Sequence, residues 1–282
     1  ASNGSQPPLA IALRNGSDGA PLADGAFVEK LAAARVVYVG EHHNSAASHR
    51  AQLAVLSAAY ALDRAAALGI EMLPTRMQPQ LDAFLFGALD EDGFLAAVDW
   101  PRTWGFDYGL YRPLFDFCRT RGLRIYALNA PKELSRAVRQ RGFDGLTAEE
   151  RAQLPSGQPF PEPEAHRAFL RAIFDQHPAA PGTDPNDRDA AFARFYSAQL
   201  VWDESMAESV TRALSTPSAP RRLIVLAGTG HVGPHAMPGR VRRRGIGSAL
   251  TIGPIEPEES KPPTGAEATD LLYVLQEPPP NH

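Results

Sequence analysis

The sequence predicts an α/β fold: a mostly parallel sheet flanked by helices and interrupted by a small all-helical insertion. Three observations predict it. Several short runs are continuously apolar rather than alternating, as in strands covered on both faces. These runs alternate with stretches of helical length. Between about residues 142 and 189 the strand-like runs vanish, prolines crowd in, and only helical runs remain.

Taken in order, residues 23–34 read as a helix with Asp24 as N-cap. A strand at residues 36–39 follows. Residues 46–67, rich in Ala and Leu, read as one long helix. Residues 69–73 read as a strand stopped by Pro74. Residues 77–86 and 91–98 read as two more helices. An aromatic stretch holding Trp104, Phe106, Tyr108 and Tyr111 leads through another helix to a strand at 124–128. In the insertion the clearest helix is 164–176, and 187–214 reads as one long helix. Strands return at 223–227, 249–252 and 271–275. The core is therefore discontinuous, 9–141 and 190–276, around an insertion or lid at 142–189. Residues 1–8 and 277–282 read as loose ends. The basic run Arg240-Val241-Arg242-Arg243-Arg244 reads as a solvated loop.

Composition bounds the function. The 282 residues are 44% hydrophobic and 21% charged, ordinary for a globular chain with a large core. A net charge of -4 gives nucleic-acid binding no support. No apolar run approaches the roughly 18 residues that a membrane span needs. The single Cys118 excludes an intramolecular disulfide and reads as core.

Two predicted strands end alike, in Gly-x-x-His: Val39-Gly40-Glu41-His42-His43 and Ala227-Gly228-Thr229-Gly230-His231. In parallel sheets the ligand crevice lies outside the carboxyl ends of the strands, where Gly permits close backbone approach. Glu71 ends the next strand, and a carboxylate there needs a partner. Glu41, His43, Glu71 and His231 are thus the candidate catalytic set of a hydrolase, with a glutamate as base. No local pair has zinc-ligand spacing, so a divalent metal requires a long-range set: His43, Glu71, Glu204 and His231. The helix holding Phe195, Tyr196 and Trp202 reads as largely buried, so Asp203 and Glu204 cannot both be free surface charges. His166 and His177 read as exposed residues of the insertion.

Together these residues resemble the ChaN-like haem-binding proteins, part of a wider group with Tiki, TraB and erythromycin esterase proteins. That group is marked by two Gly-x-x-His motifs and a pair of glutamates. Gly40/His43 and Gly228/His231 match the motifs, with Glu41 inside the first and Glu71 in Gly69-Ile70-Glu71-Met72. Similar segments are Trp100 to Trp104, Leu110-Tyr111-Arg112-Pro113, Ala127-Leu128-Asn129-Ala130-Pro131, and Gln199 with Trp202-Asp203-Glu204-Ser205-Met206-Ala207.

The resemblance implies a haem-binding protein of bacterial haem or iron uptake, periplasmic or membrane-anchored, binding rather than catalysing. It makes haem the cofactor, and a homodimer and outer-membrane uptake machinery the expected partners. Iron is ligated in proteins by His or Tyr, among other donors. His166, beside Phe169 and Phe174, is the preferred donor, with Tyr108, Tyr111 and Tyr196 as rivals. Arg167 and Arg171, four residues apart, would hold the propionates.

Overall fold

The computed structural model describes residues 11–158, 160–176, 185–259 and 261–276; the predicted loose ends and His177 lie outside them. The strands are β1 (Leu13–Asn15), β2 (Val36–Glu41), β3 (Ala66–Pro74), β4 (Ile125–Asn129), β5 (Arg222–Gly228), β6 (Ala249–Ile255) and β7 (Leu271–Val274). They form one sheet in the order β1-β7-β6-β2-β5-β3-β4. All neighbours pair in parallel except β1, which lies antiparallel to β7 at one edge. Strands β2, β3 and β5 are buried along their whole length, which is why they read as unbroken apolar runs.

The helices are α1 (Asp24–Ala33), α2 (Ala46–Leu62), α3 (Gln78–Leu85), α4 (Glu91–Ala97), α5 (Trp100–Thr103), α6 (Tyr108–Arg121), α7 (Lys132–Arg141), α8 (Ala148–Ala152), α9 (Glu164–Asp175), α10 (Pro185–Leu214) and α11 (Met237–Arg243). Successive strand residues face opposite ways. Val37, Val39, Ile224 and Leu226 pack under α1, α2 and α6. Val36, Tyr38, Leu223 and Val225 pack under α10 and α11. The insertion shares a third apolar cluster with α7 and α10, through Leu134, Val138, Leu170, Phe192 and Leu200.

Four expectations are corrected. The helix read over 46–67 stops at Leu62, because Ala66 and Ala67 pair with β5 as the start of β3. Asp24 lies in the first turn of α1, and Ala23 occupies the N-cap. The basic run is not a solvated loop: it belongs to α11 and the turn after it, and Arg240 is 0% exposed. His166 is not exposed either. It faces inward from α9, one turn from the buried Leu170. The short β1 escaped notice because Leu-Arg-Asn carries no periodic signal.

Candidate functional site

Adjacent parallel strands bring the Gly-x-x-His residues to one sheet edge. β2 and β5 pair in register, with Glu41 opposite Gly228, and β3 lies on the other side of β5. Strand β3 continues past Glu71 to Pro74, but its register with β4 shifts between Ile70 and Pro74. Such an irregularity re-aims a side chain. The Asn129 side-chain amide donates to the Glu71 carbonyl at 2.9 Å, which fixes the displaced backbone. His231 sits in a single turn of 3-10 helix directly after β5.

The two motif glycines are required by space. A Cβ on Gly40 would lie 2.8 Å from a Val232 methyl. One on Gly228 would lie 2.9 Å from Cε1 and 3.1 Å from Nε2 of His43. His43 therefore rests against the backbone of the second motif.

Glu41 is buried and fully engaged. Its Oε1 pairs with His43 Nδ1 at 2.8 Å and accepts from the Tyr111 hydroxyl at 2.9 Å. Its Oε2 accepts from Gln52 at 2.6 Å. Trp104 donates to the Tyr111 oxygen at 2.9 Å, and His49 Nε2 meets the His43 carbonyl at 3.1 Å. Burial alone would raise the Glu41 carboxyl. The His43 and Gln52 hydrogen bonds and the nearby His49 outweigh it and hold the group below its usual range. The His43 ring, 30% exposed, lies between Trp104 at 4.7 Å and Phe106 at 4.8 Å. Burial opposes its charge, but Glu41 and Glu71 outweigh this and raise its basicity.

On the other side, His231 Nδ1 meets Asp203 Oδ1 at 2.7 Å. Its Nε2 lies 3.5 Å from Glu71 Oε1, while Glu71 Oε2 accepts from the Gly228 N–H at 2.7 Å. Burial again opposes charge, yet Glu71 and Asp203 together lift His231 to about 9, so it is cationic at neutral pH. Two carboxylate–imidazole pairs, Glu41–His43 and Asp203–His231, thus flank Glu71. The four expected crevice residues converge. The sequence reading placed Asp203 in a buried helix but gave it no role in the crevice.

Glu204 does not join them. It is 2% exposed and holds Arg240 at 2.7 Å, Arg243 at 2.9 Å and Arg244 at 2.5 Å. The metal set of His43, Glu71, Glu204 and His231 is therefore not assembled. Among the described residues no group of three or more His, Cys, Asp and Glu converges to hold a metal ion.

The expected haem residues are also placed elsewhere. His166 is 2% exposed, with Nδ1 3.3 Å from Arg240 and Nε2 3.5 Å from Asp203. Burial, only partly offset by Asp203, lowers it to about 4. Tyr111 is spent on Glu41, and Tyr108 and Tyr196 are buried as well. Arg167 and Arg171 lie on the outer face of α9, stacked over Phe192 at 5.1 Å each and ion-paired with Glu162, Asp175 and Asp189.

A different imidazole is open. His42 is exposed and stands where two surface cavities meet, of about 340 and 630 Å³, both lined by His42, Glu256 and Leu275. The smaller has apolar walls from Val232, Ile255, Leu272 and, from the insertion, Phe169.

Compared with known proteins, residues 27–240 match the family described as haem-binding uptake, Tiki superfamily, ChaN. A curated relative, Protein RETICULATA-RELATED 5, chloroplastic, from Arabidopsis thaliana, is 26% identical over 217 residues, 72% of this chain. The chain spans 28% of that protein's length. The fold is similar to a structure described as cofacial heme binding to ChaN of Campylobacter jejuni. The TM-score is 0.72 at 13% identity, covering 95% of this chain and 97% of that one. It is also similar to an erythromycin esterase mutant, EreC H289N, in its open conformation. There the TM-score is 0.51 at 13% identity, covering 86% and 77%. At these identities the structural likenesses establish the fold.

Proposed function

The chain belongs to the haem-binding uptake family of the Tiki superfamily, ChaN, and on that footing we propose that it binds haem in the two adjoining cavities at the carboxyl edge of the sheet, the smaller walled in part by the insertion, with His42 as iron donor. One observation carries the reading: His42 is exposed between two cavities, the smaller with apolar walls, while His166 and the rival tyrosines are buried. A haem site needs a donor, apolar walls and polar partners for two carboxylates. Phe169, Val232, Ile255 and Leu272 supply walls. Arg50, bonded to the carbonyl of Gln276 on the rim of the larger cavity, offers a cation to a propionate. Glu256 and Glu258 repel propionates from the remaining rim. A haem held on this open face would remain partly exposed, and a second copy of the chain could cover it. When bound, haem would supply the iron, and His42 would ligate it. What this chain's residues do is hold the plane and donate one imidazole nitrogen.

The test is an absorbance titration with haem. Wild type and His166→Ala should both give a saturable, ligated Soret band, and His42→Ala should lose it. An unchanged spectrum in His42→Ala, or no binding by wild type, overturns the assignment.

A second reading is favoured by the flanked Glu71. His43 is oriented by Glu41, open to solvent and raised in basicity, as a general base requires. Cationic His231, fixed by Asp203, would stabilise developing negative charge. This is hydrolase geometry without a metal step. A screen with carboxylic and phosphate esters tests it, and activity that survives His43→Ala refutes it.

A further inference from the structure

The opposite edge of the sheet, where the strands begin, carries a row of arginines. Arg35 precedes β2, Arg221 and Arg222 open β5, Arg64 lies just before β3, and Arg124 just before β4. Strands β2, β5, β3 and β4 are consecutive neighbours, so the row crosses about 15 Å at ~4.8 Å per strand. Contacts make it continuous. Arg35 donates to the Arg221 carbonyl at 3.2 Å, the Arg221 N–H to the Ala65 carbonyl at 3.0 Å, and the Leu68 N–H to the Arg124 carbonyl at 3.0 Å. Helix α6 ends on the same edge. Its Arg121 lies 5.8 Å from the Tyr60 ring centre and 4.0 Å from that of Phe117, while Arg64 covers Tyr60 at 4.8 Å. Arg119 covers Phe84 at 4.4 Å.

Seven arginines are thus gathered on an edge of a chain whose net charge is -4. Arg221 pairs with Asp63 at 3.1 Å and Arg124 with Asp82 at 3.5 Å. The other five make no carboxylate ion pair among the described residues. Part of the row has a structural use. Arg35 reaches the Leu214 carbonyl, and Arg222 the carbonyls of Ala32 and Ala34, so both serve helix C-termini. That use leaves a remainder. Arg222 is 6% exposed, and its Nη1 has no hydrogen-bond partner. Arg222 is therefore enclosed by the fold, and the surface charge of the edge is carried by its exposed neighbours. Arg64, Arg119 and Arg121 are exposed and held in place by aromatic rings rather than by acids.

We propose that this amino-terminal edge is a docking face for an anionic phospholipid bilayer. Guanidiniums over half-buried Tyr60 and Phe117 combine the two features of an interfacial contact: cations for headgroup phosphates and amphipathic rings at headgroup depth. The docked protein presents its carboxyl edge, with the crevice and His42, to the aqueous side. The inference is independent of the haem reading.

The test is flotation of the full chain with vesicles of phosphatidylglycerol and phosphatidylcholine, against phosphatidylcholine alone. Each arginine near an anionic surface is worth roughly fivefold in partitioning, so Arg64→Gln/Arg121→Gln should bind about 25-fold more weakly. Arg102→Gln/Arg136→Gln, on the crevice edge, should bind as wild type. Raised salt should release the protein. Arg119→Gln gives an independent arm should the double variant fold poorly. Four results overturn the proposal: equal binding to neutral vesicles, no binding, equal loss in the control pair, or displacement from vesicles by duplex DNA at equal phosphate.

Discussion

Stability should peak near pH 6.5 and fall on both sides, on the alkaline side chiefly through His231, with the raised His43 acting in the same sense, and on the acid side through His166. His231 is raised from 6.5 to about 9, mainly by Glu71 and Asp203 against the cost of burial. A raised group contributes its full stability below the unfolded value and loses it as pH rises through the folded one. The window is therefore about 6.5 to 9. The size is roughly 3 kcal/mol at ~1.36 kcal/mol per pH unit. Its side chain is 12% exposed, so solvent screening takes little from that figure. His166 has the opposite sign. Burial lowers it to about 4, so its contribution is present above about 6.5 and is lost as pH falls toward 4. Urea unfolding at about pH 5, 6.5 and 9 reads both limbs, above the range where Asp203 and Glu41 protonate. His231→Gln should reduce the alkaline limb to the part that His43 contributes and leave the acid one. His166→Phe should flatten the acid limb alone. Wild-type stability that is level between pH 6.5 and 9, or an alkaline fall undiminished in His231→Gln, refutes the reasoning.

Glu204→Gln should destabilise the protein by about 3–5 kcal/mol, because Arg240 is then buried without its nearest carboxylate. Glu91→Gln, which breaks the exposed Arg112 pair, should cost under ~1 kcal/mol in the same thermal melts; comparable losses would contradict this account of the cluster. Gly228→Ala should leave the fold intact but push the His43 ring off the second motif, since the new Cβ would sit 2.9 Å from Cε1. Unchanged His43 NMR shifts and titration in that variant would contradict the contact.

The sheet was legible because burial on both faces leaves an unambiguous apolar signature in β2, β3 and β5. The convergence of His43, Glu71 and His231 followed from placing each at a strand's carboxyl end. The charged interior was harder to read. An arginine run looks solvated by composition, yet a helical turn puts Arg240, Arg243 and Arg244 on one side, where Glu204 receives all three. His166 was misjudged although its signal was present: it shares a face with Leu170 and Ile173 at spacings of four and three, while Arg167 and Arg171 mark the wet side. The choice between Asp203 and Glu204 as the crevice partner was not readable. Neighbours on a buried helix point about 100° apart, and what each meets depends on β5 and α11, remote in sequence.

The strand order also governs how the chain is made. Strands β2 and β3 emerge early from synthesis but are not partners; the slot between them belongs to β5, which begins at Arg222. The other neighbour of β2 is β6, which emerges later still. Until β5 is translated, the central strand has no partner on either side and its apolar faces lack the cover of α11. Such unpaired edges invite association with other chains. A chain broken off before Arg222 therefore lacks more than the second Gly-x-x-His turn. It lacks the strand that joins β2 to β3, and cellular surveillance meets it as an unfinished sheet.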